Sequence, residues 1–553
     1  MAESDFPPSS ADHRVALLGG APEDDVRGFD AGDHEARLHL VLGRGRGVSR
    51  YAGGDAGGDA GGDAGGVGND SGDGAIPAPS GSGGGGGRGG RGGGGGGRGR
   101  NVEPCSALAA ERKNKMRQHT GTLSSCESCD AVLEYAEAHA RTFTAVNFST
   151  AIHKLGKLNR SARGRRTQLA ARLVDDPRFQ KLEAALDASL ERFAAPDAAS
   201  HPSAAEFHGV WGAREVSCAL WGFANCGRTA ESFANGGGGG GEARADGVGS
   251  RRAAARGSAH CPNLFANLLR KVAAFDGAAF SSQNLSNAAW ALAKMHSGPG
   301  ALAAPSSGHA APVAADADGN ARASAADDET LDVLVVRATD ALEGAIRDRL
   351  ARPPRGDAFI PQGVSNSMWA LAVLKKHELQ RNGGDVSSSD IAENGIAPAT
   401  ARAFSAYITS PGAADGFKSM ELSNVIWAIS TMRCRVSRET AEALDAAVVR
   451  ACDDAPHMFS TQSVANILWA AGNTPEFVPL STAALDRLAK MTYAKFPEFT
   501  TQGLANTLWG FASANYHPGE GLFEEIRREW VAKGDGYSVI ELNNMLWAMH
   551  TLK

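Results

Sequence analysis

The sequence predicts an all-α protein, an α-α superhelical repeat solenoid with a disordered glycine-rich N-terminal tail. Three observations predict it. One segment recurs eight times in register, its apolar residues follow a helical spacing, and glycine is concentrated outside the recurring part.

The recurrence is plainest near the C-terminus, where STQSVANILWAA begins at Ser460 and TTQGLANTLWGF at Thr500. Aligned on an opening aromatic, six regular copies read FSSQNLSNAAWALAKM from Phe280, FIPQGVSNSMWALAVL from Phe359, FKSMELSNVIWAISTM from Phe417, FSTQSVANILWAAGNT from Phe459, FTTQGLANTLWGFASA from Phe499 and YSVIELNNMLWAMHTL from Tyr537. Two degenerate copies precede them, FTAVNFSTAIHKLGKL from Phe143 and WGAREVSCALWGFANC from Trp211. Thr150 and His153 replace the Asn and Trp in the first, and Cys218 replaces the Asn in the second. From Trp427 to Trp469, Trp509 and Trp547 the steps are 42, 40 and 38 residues. Earlier steps are longer where low-complexity inserts interrupt, as expected of loops that lengthen at small entropic cost.

Each copy reads as a helix. Leu504, Leu508 and Phe511 follow an i, i+4, i+7 stripe, and Ser538 with Glu541 has the S-x-x-E form of a capping box. A second amphipathic segment lies between copies, as at 481–496, with Leu485, Leu488 and Met491, and at 521–533. Sustained period-two alternation is missing, which argues against strands. A helical pair cannot bury its apolar face alone, so the pairs must stack.

Residues 1–100 are predicted to be a disordered low-complexity tail, because AGGDAGGDAGGDAGG at 52–66 and the Gly/Arg run at 81–100 have little to bury. Degenerate helical repeats follow over 101–275, with a glycine-rich insert at 236–241, and regular repeats over 276–553, with inserts at about 297–326 and 381–400.

Charge excludes a uniformly basic nucleic-acid surface, since the formal net charge is −6. The basic footprint is local. Residues 154–172 carry Lys154, Lys157, Arg160, Arg163, Arg165, Arg166 and Arg172 without an acid, a pattern that holds phosphates irrespective of sequence. Arg88, Arg91, Arg98 and Arg100 in the tail supply a weaker footprint for single strands. The invariant pairs Asn287/Trp290, Asn366/Trp369, Asn424/Trp427, Asn466/Trp469, Asn506/Trp509 and Asn544/Trp547 read as scaffold. Trp would fill the wedge between helices and Asn would bond a neighbouring backbone group. Recognition belongs to positions that vary yet share the same stripe. Four residues after each Trp stand Lys294, Val373, Thr431, Asn473, Ser513 and Thr551, and seven before it Gln283, Gln362, Met420, Gln462, Gln502 and Ile540.

Enzyme and cofactor signals are weak, and neither a catalytic residue nor a cofactor is expected. GFANCGRT at 222–229 has Arg228 where a phosphate-binding loop needs lysine, and it leaves a helix instead of a strand. Cys126 and Cys129 form a C-x-x-C with Cys105 and His119 upstream, but a second ligand pair at matching spacing is lacking. Irregularly placed cysteines do not read as a disulfide framework, and no run of 18 apolar residues predicts a membrane span.

Units of this length carrying LxNxxWAxA resemble the octotricopeptide repeats of algal organelle RNA-binding factors, and the related helical array of the RNA-editing substrate-binding complex. AVLEYAEAHARTFTAVNFSTAIHKLGKL at 131–158 is similar to the first unit of those proteins, chloroplast translation factors among them. The resemblance covers about 131–553. It implies a non-enzymatic solenoid that binds single-stranded RNA in a chloroplast or mitochondrion. Its implied roles are RNA processing, stability or translation regulation, alongside other proteins of an RNA-processing complex. The chain departs from the family in its acidic, glycine-rich start, where a transit peptide is expected, and in having no small α/β domain after the last repeat. The alternative that the residues leave open is a protein-binding α-solenoid of the tetratricopeptide or armadillo kind, which near-neutral charge favours.

Overall fold

The computed structural model describes residues 104–161, 173–192, 210–234, 263–296, 330–352, 357–381, 395–532 and 536–553. The N-terminal tail, the glycine insert at 236–241, the insert at 297–326 and the basic residues Arg163, Arg165 and Arg166 lie outside them. Among the described residues there are 18 α-helices and no strand.

One helix, α1 (Pro104–Ser125), precedes eight helical pairs. The second helix of each pair carries the recurring segment: α3 (Ala145–Ser161), α5 (Ala213–Asn225), α8 (Ser282–His296), α10 (Pro361–Arg381), α12 (Ser419–Thr431), α14 (Thr461–Asn473), α16 (Thr501–Ser513) and α18 (Val539–Thr551). Their partners are α2 (Cys129–His139), α4 (Pro177–Arg192), α7 (Leu264–Ala274), α9 (Leu331–Leu350), α11 (Pro398–Ile408), α13 (Arg438–Asp454), α15 (Thr482–Ala494) and α17 (Glu520–Ala532). A short α6 (Ala230–Ala234) follows α5. The insert expected over 381–400 is shorter than its predicted range, because α10 runs to Arg381 and α11 already starts at Pro398, a residue suited to a first helical turn.

Recurring helices pack on one another in chain order, and so do their partners, which makes two layers. One apolar cluster runs through both, from Leu123 to Met549, without a break where degenerate units give way to regular ones. Leu504, Leu508 and Phe511 are buried in it, as are Leu485, Leu488 and Met491.

The two helices of a unit are joined by a repeated local device. In five units a single 3₁₀ turn ends at the opening aromatic, whose N–H closes the turn, as Phe143 does on Ala140 O at 3.1 Å and Phe499 on Phe496 O at 3.2 Å. The next residue is often a hydroxyl N-cap. Ser460 accepts from Ser463 N, Thr500 from Gly503 N and Ser538 from Glu541 N. At Ser538 the capping box closes, its N–H donating to Glu541 Oε2 at 2.7 Å. The aromatic lies against the first helical turn, and a methyl group at Gly363 would be 3.0 Å from the Phe359 ring.

Recurring helices approach each other almost backbone to backbone, and small residues make this possible. A methyl group at Gly510 would lie 2.5 Å from Leu468 O, and one at Gly222 would lie 2.6 Å from Ile152 O. Both glycines directly follow the Trp column. Two residues further on, Gly156 faces Gly222, and Gly472 faces Trp509 and Gly510. Alanine holds most of the equivalent positions elsewhere, which is the physical content of the WAxA ending. Partner helices pack more sparsely than recurring helices do, so the double layer curves with the recurring helices inside.

The glycines yield a stability test. Gly510→Ala should lower stability by about 1–3 kcal/mol, because the obstacle is backbone. Gly344→Ala, on α9 where only the end of Arg347 is near, should raise it by about 0.5–1 kcal/mol. Denaturant midpoints of the two variants check both signs. A pH test comes from His296, whose Nδ1 is buried without a partner and whose ring meets that of His377 at 5.6 Å. Burial, then the charges of His377 and Arg381, push it down to about 4, against a small opposing pull from Asp332. The unfolded chain therefore takes up this proton first. About 3 kcal/mol of stability, full above pH ~6.5, should be lost as pH falls toward 4. His296→Phe should flatten that limb of a pH–melting-temperature curve.

Candidate nucleic-acid interface

A helix sandwiched between two neighbours and a partner layer has one side left over. In α14 the residues that are not buried are Thr461, Gln462, Asn466, Trp469 and Asn473. In α16 they are Thr501, Gln502, Gly503, Trp509 and Ser513, and in α8 solvent reaches Gln283, Asn287, Trp290 and Lys294. Apart from Thr461, Thr501 and Gly503 in the first turns, these are the positions seven and three before the Trp, the Trp itself and four after it, with Asn506 alone of these positions buried in the three helices. The helical stripe singled out in the sequence is thus the free side of the inner layer, and its eight copies line up into one inward-facing surface.

The surface is not uniform. Over the fourth and fifth units it narrows, where Trp369 is 7%, Val373 1%, Asn424 8% and Trp427 2% exposed. The other stripe positions of the same two units are wetter. Gln362 and Asn366 are half-buried, and so are Met420 and Thr431. In the last unit Ile540 and Thr551 are exposed while Asn544 and Trp547 are half-buried.

Each Trp lies at the seam between adjacent recurring helices. Trp509 covers Gly472 of the preceding helix and meets Trp547 of the next at 6.3 Å between ring centroids. In the first unit His153 takes this place, its ring 4.7 Å from that of Trp221 and tilted by 36°. The Trp side chains are half-buried at Trp290, Trp469, Trp509 and Trp547 and buried at Trp221, Trp369 and Trp427.

The Asn column differs from expectation. Among the described residues, no hydrogen bond joins the side chain of Asn287, Asn366, Asn424, Asn466, Asn506 or Asn544 to any neighbour, and Asn506 Oδ1 is buried without a partner. The expected bond to a neighbouring backbone group is not made at the half-buried Asn287, Asn366, Asn466 and Asn544 or at the buried Asn424 and Asn506, because the backbone groups nearby are already paired within their helices. Other stripe positions are engaged in the fold. Asn473 Nδ2 donates to Ser430 Oγ at 3.2 Å and Asn225 Nδ2 to Trp221 O at 2.8 Å, whereas Ser513 Oγ and Thr431 Oγ1 are buried without partners.

The basic run begins on this surface. Lys154, Lys157 and Arg160 lie on α3, and Lys154 Nζ donates to Ser124 O at 2.7 Å, at the C-terminal end of α1. Arg214 on α5 joins them. Counting columns over the regular copies alone missed it, although seven residues before Trp221 it has the stripe position. His153 is held below its ordinary pKa by burial first and then by the charges of Lys157, Arg214 and Lys154, so three cations act on one ring.

The motifs set aside in the sequence have structural partners. Arg228 is buried in an ion pair with Glu183, its Nε 2.8 Å from Oε1, between the rings of Phe179 and Phe233. It is therefore committed to the core. Cys126 and Cys129 are free thiols between α1 and α2, and His119 bonds Tyr135 and Thr142. Among the described residues no three His, Cys, Asp or Glu side chains gather into a metal-binding group, and no described helix is long and apolar enough to cross a membrane.

Column chemistry separates wedge from surface by experiment. Trp469→Ala should cost about 3 kcal/mol or more. Asn466→Ala and Asn506→Ala should stay within about 0.5 kcal/mol of the parent or stabilise it, since no bond is lost and one buried orphan is removed. Chemical denaturation of the three variants distinguishes the two columns. No family model matches the chain and no curated protein is significantly similar to it, so its chemistry is read from this surface.

Proposed function

We propose that this protein is a non-enzymatic helical-repeat protein that binds single-stranded RNA along its inner surface. We place its action in a chloroplast or mitochondrion, in RNA processing, stability or translation with other proteins of an RNA-processing complex. The observation that carries the reading is the Asn column, in which amides without protein partners stand one helical turn before a Trp, both half-buried in the third, sixth and eighth units. Unpaired bases present both hydrogen-bonding edges and stacking faces, and RNA is read mainly where its bases are single-stranded. The cations at the N-terminal end add sequence-independent phosphate affinity. The resemblance of the repeat to the octotricopeptide family supplies the organelle and the class of process.

Near-neutral overall charge favours a second reading, a protein-binding scaffold, and one measurement separates the two. The full chain should bind single-stranded RNA in fluorescence anisotropy, more weakly as salt rises. The double variant Asn466→Ala/Asn544→Ala, at two half-buried amides, should bind at least about tenfold more weakly with unchanged melting, as expected when two base contacts of about 1–3 kcal/mol are removed. Equal affinity in parent and variant, or no binding at low salt, would favour the scaffold.

A further inference from the structure

The stripe positions carry charge at only three places along the array: Lys157 in the first unit, Arg214 in the second and Lys294 in the third. All three are exposed and positive, and no stripe position in any unit holds an acid. Among the described residues none of the three forms an ion pair. Lys154, beside them, spends a hydrogen bond on a carbonyl, which leaves its charge unneutralised. The one acid on α3 and α5, Glu215, pairs with none of these cations.

The remaining units contrast with these. After the narrow fourth and fifth units, the sixth to eighth offer only amides, hydroxyls, Trp edges and one Ile on the stripe. The surface therefore has two chemically different ends separated by two units whose Trp side chains are buried. Unpaired cations flanking the half-buried His153 ring, which leans on the buried Trp221, suit a phosphodiester with a base against the imidazole. Neutral amides suit base edges.

We infer that the first three units are a phosphate-holding anchor for single-stranded RNA, with Lys157 and Arg214 gripping the backbone beside the His153–Trp221 pair and Lys294 extending the grip by one helix. Discrimination between sequences then falls to the sixth to eighth units. The anchor rests on the RNA reading of the inner surface and gives it a direction along the array.

Salt titration of the full chain with a uridine oligomer tests it. In Lys157→Ala/Arg214→Ala/Lys294→Ala, the slope of log K against log salt should flatten by about 2, three phosphates at ≈ 0.7 each. Lys157→Arg/Lys294→Arg should keep the parent slope, and so should Gln502→Ala/Asn506→Ala, which should instead blur preference among oligomer sequences. Circular dichroism of each variant verifies the helical fold. Parent-like slope in the folded triple-alanine variant would overturn the anchor while leaving RNA binding standing. Failure of the parent to bind any oligomer at low salt would remove the RNA reading itself. Displacement of the oligomer by polyglutamate at equal charge concentration would overturn the anchor in favour of an acidic protein partner.

Discussion

The closeness of successive inner helices governs the rest of the molecule. Where Gly510 meets the Leu468 carbonyl there is no room for a β-carbon, and alanine, the smallest alternative, holds most other copies. That closeness has two effects. It lets an aromatic ring of one helix meet that of its neighbour across the seam, at His153–Trp221 near one end of the array and at Trp509–Trp547 at the other. It also bends the double layer toward the inner helices, so the side they leave uncovered faces inward. A superhelix whose inner neighbours stood further apart would have neither the seam nor the groove. Small residues are thus the geometric precondition for large ones to work.

Much of this was legible in the sequence because repeats amplify weak signals. One LxNxxWAxA would be an ambiguous apolar run. Eight in register give the helix, its stripe and the orientation of that stripe, and the free side seen in α14 is the one that column counting names. The Asn role was not legible. A polar residue three before a Trp has the same spelling whether it bonds a backbone carbonyl or faces solvent, and the distinction depends on which nearby groups are already paired. Arg214 was hidden for a different reason, since its unit lacks the Asn and had been treated as degenerate. The meaning of WAxA was in plain view but unreadable from one helix, because its partner atoms belong to the preceding unit. The narrowing at Val373 and Trp427 likewise arises between units and leaves no trace within either segment.

Invariance and recognition need not be opposed here. An invariant Asn cannot encode differences between bases, yet an amide with no partner in the fold remains available to any ligand on the surface. The variable columns on either side, Gln or Met before and Asn, Ser or Thr after, then modulate what each unit prefers. Trp290, Trp469, Trp509 and Trp547 join both roles, since they pack against their neighbours yet stay half-exposed.

The junctions differ in how much length they tolerate. Within a unit, five of the eight crossings use the same tight 3₁₀ turn ending on an aromatic, a geometry with no slack. In the sequence, 297–329 and 382–394 instead follow a recurring helix and precede the next pair, whereas 235–262 follows α6 and 193–209 falls inside the second unit, between α4 and α5. Length added after a recurring helix leaves the tight crossing inside each unit untouched, and with it the spacing of neighbouring inner helices.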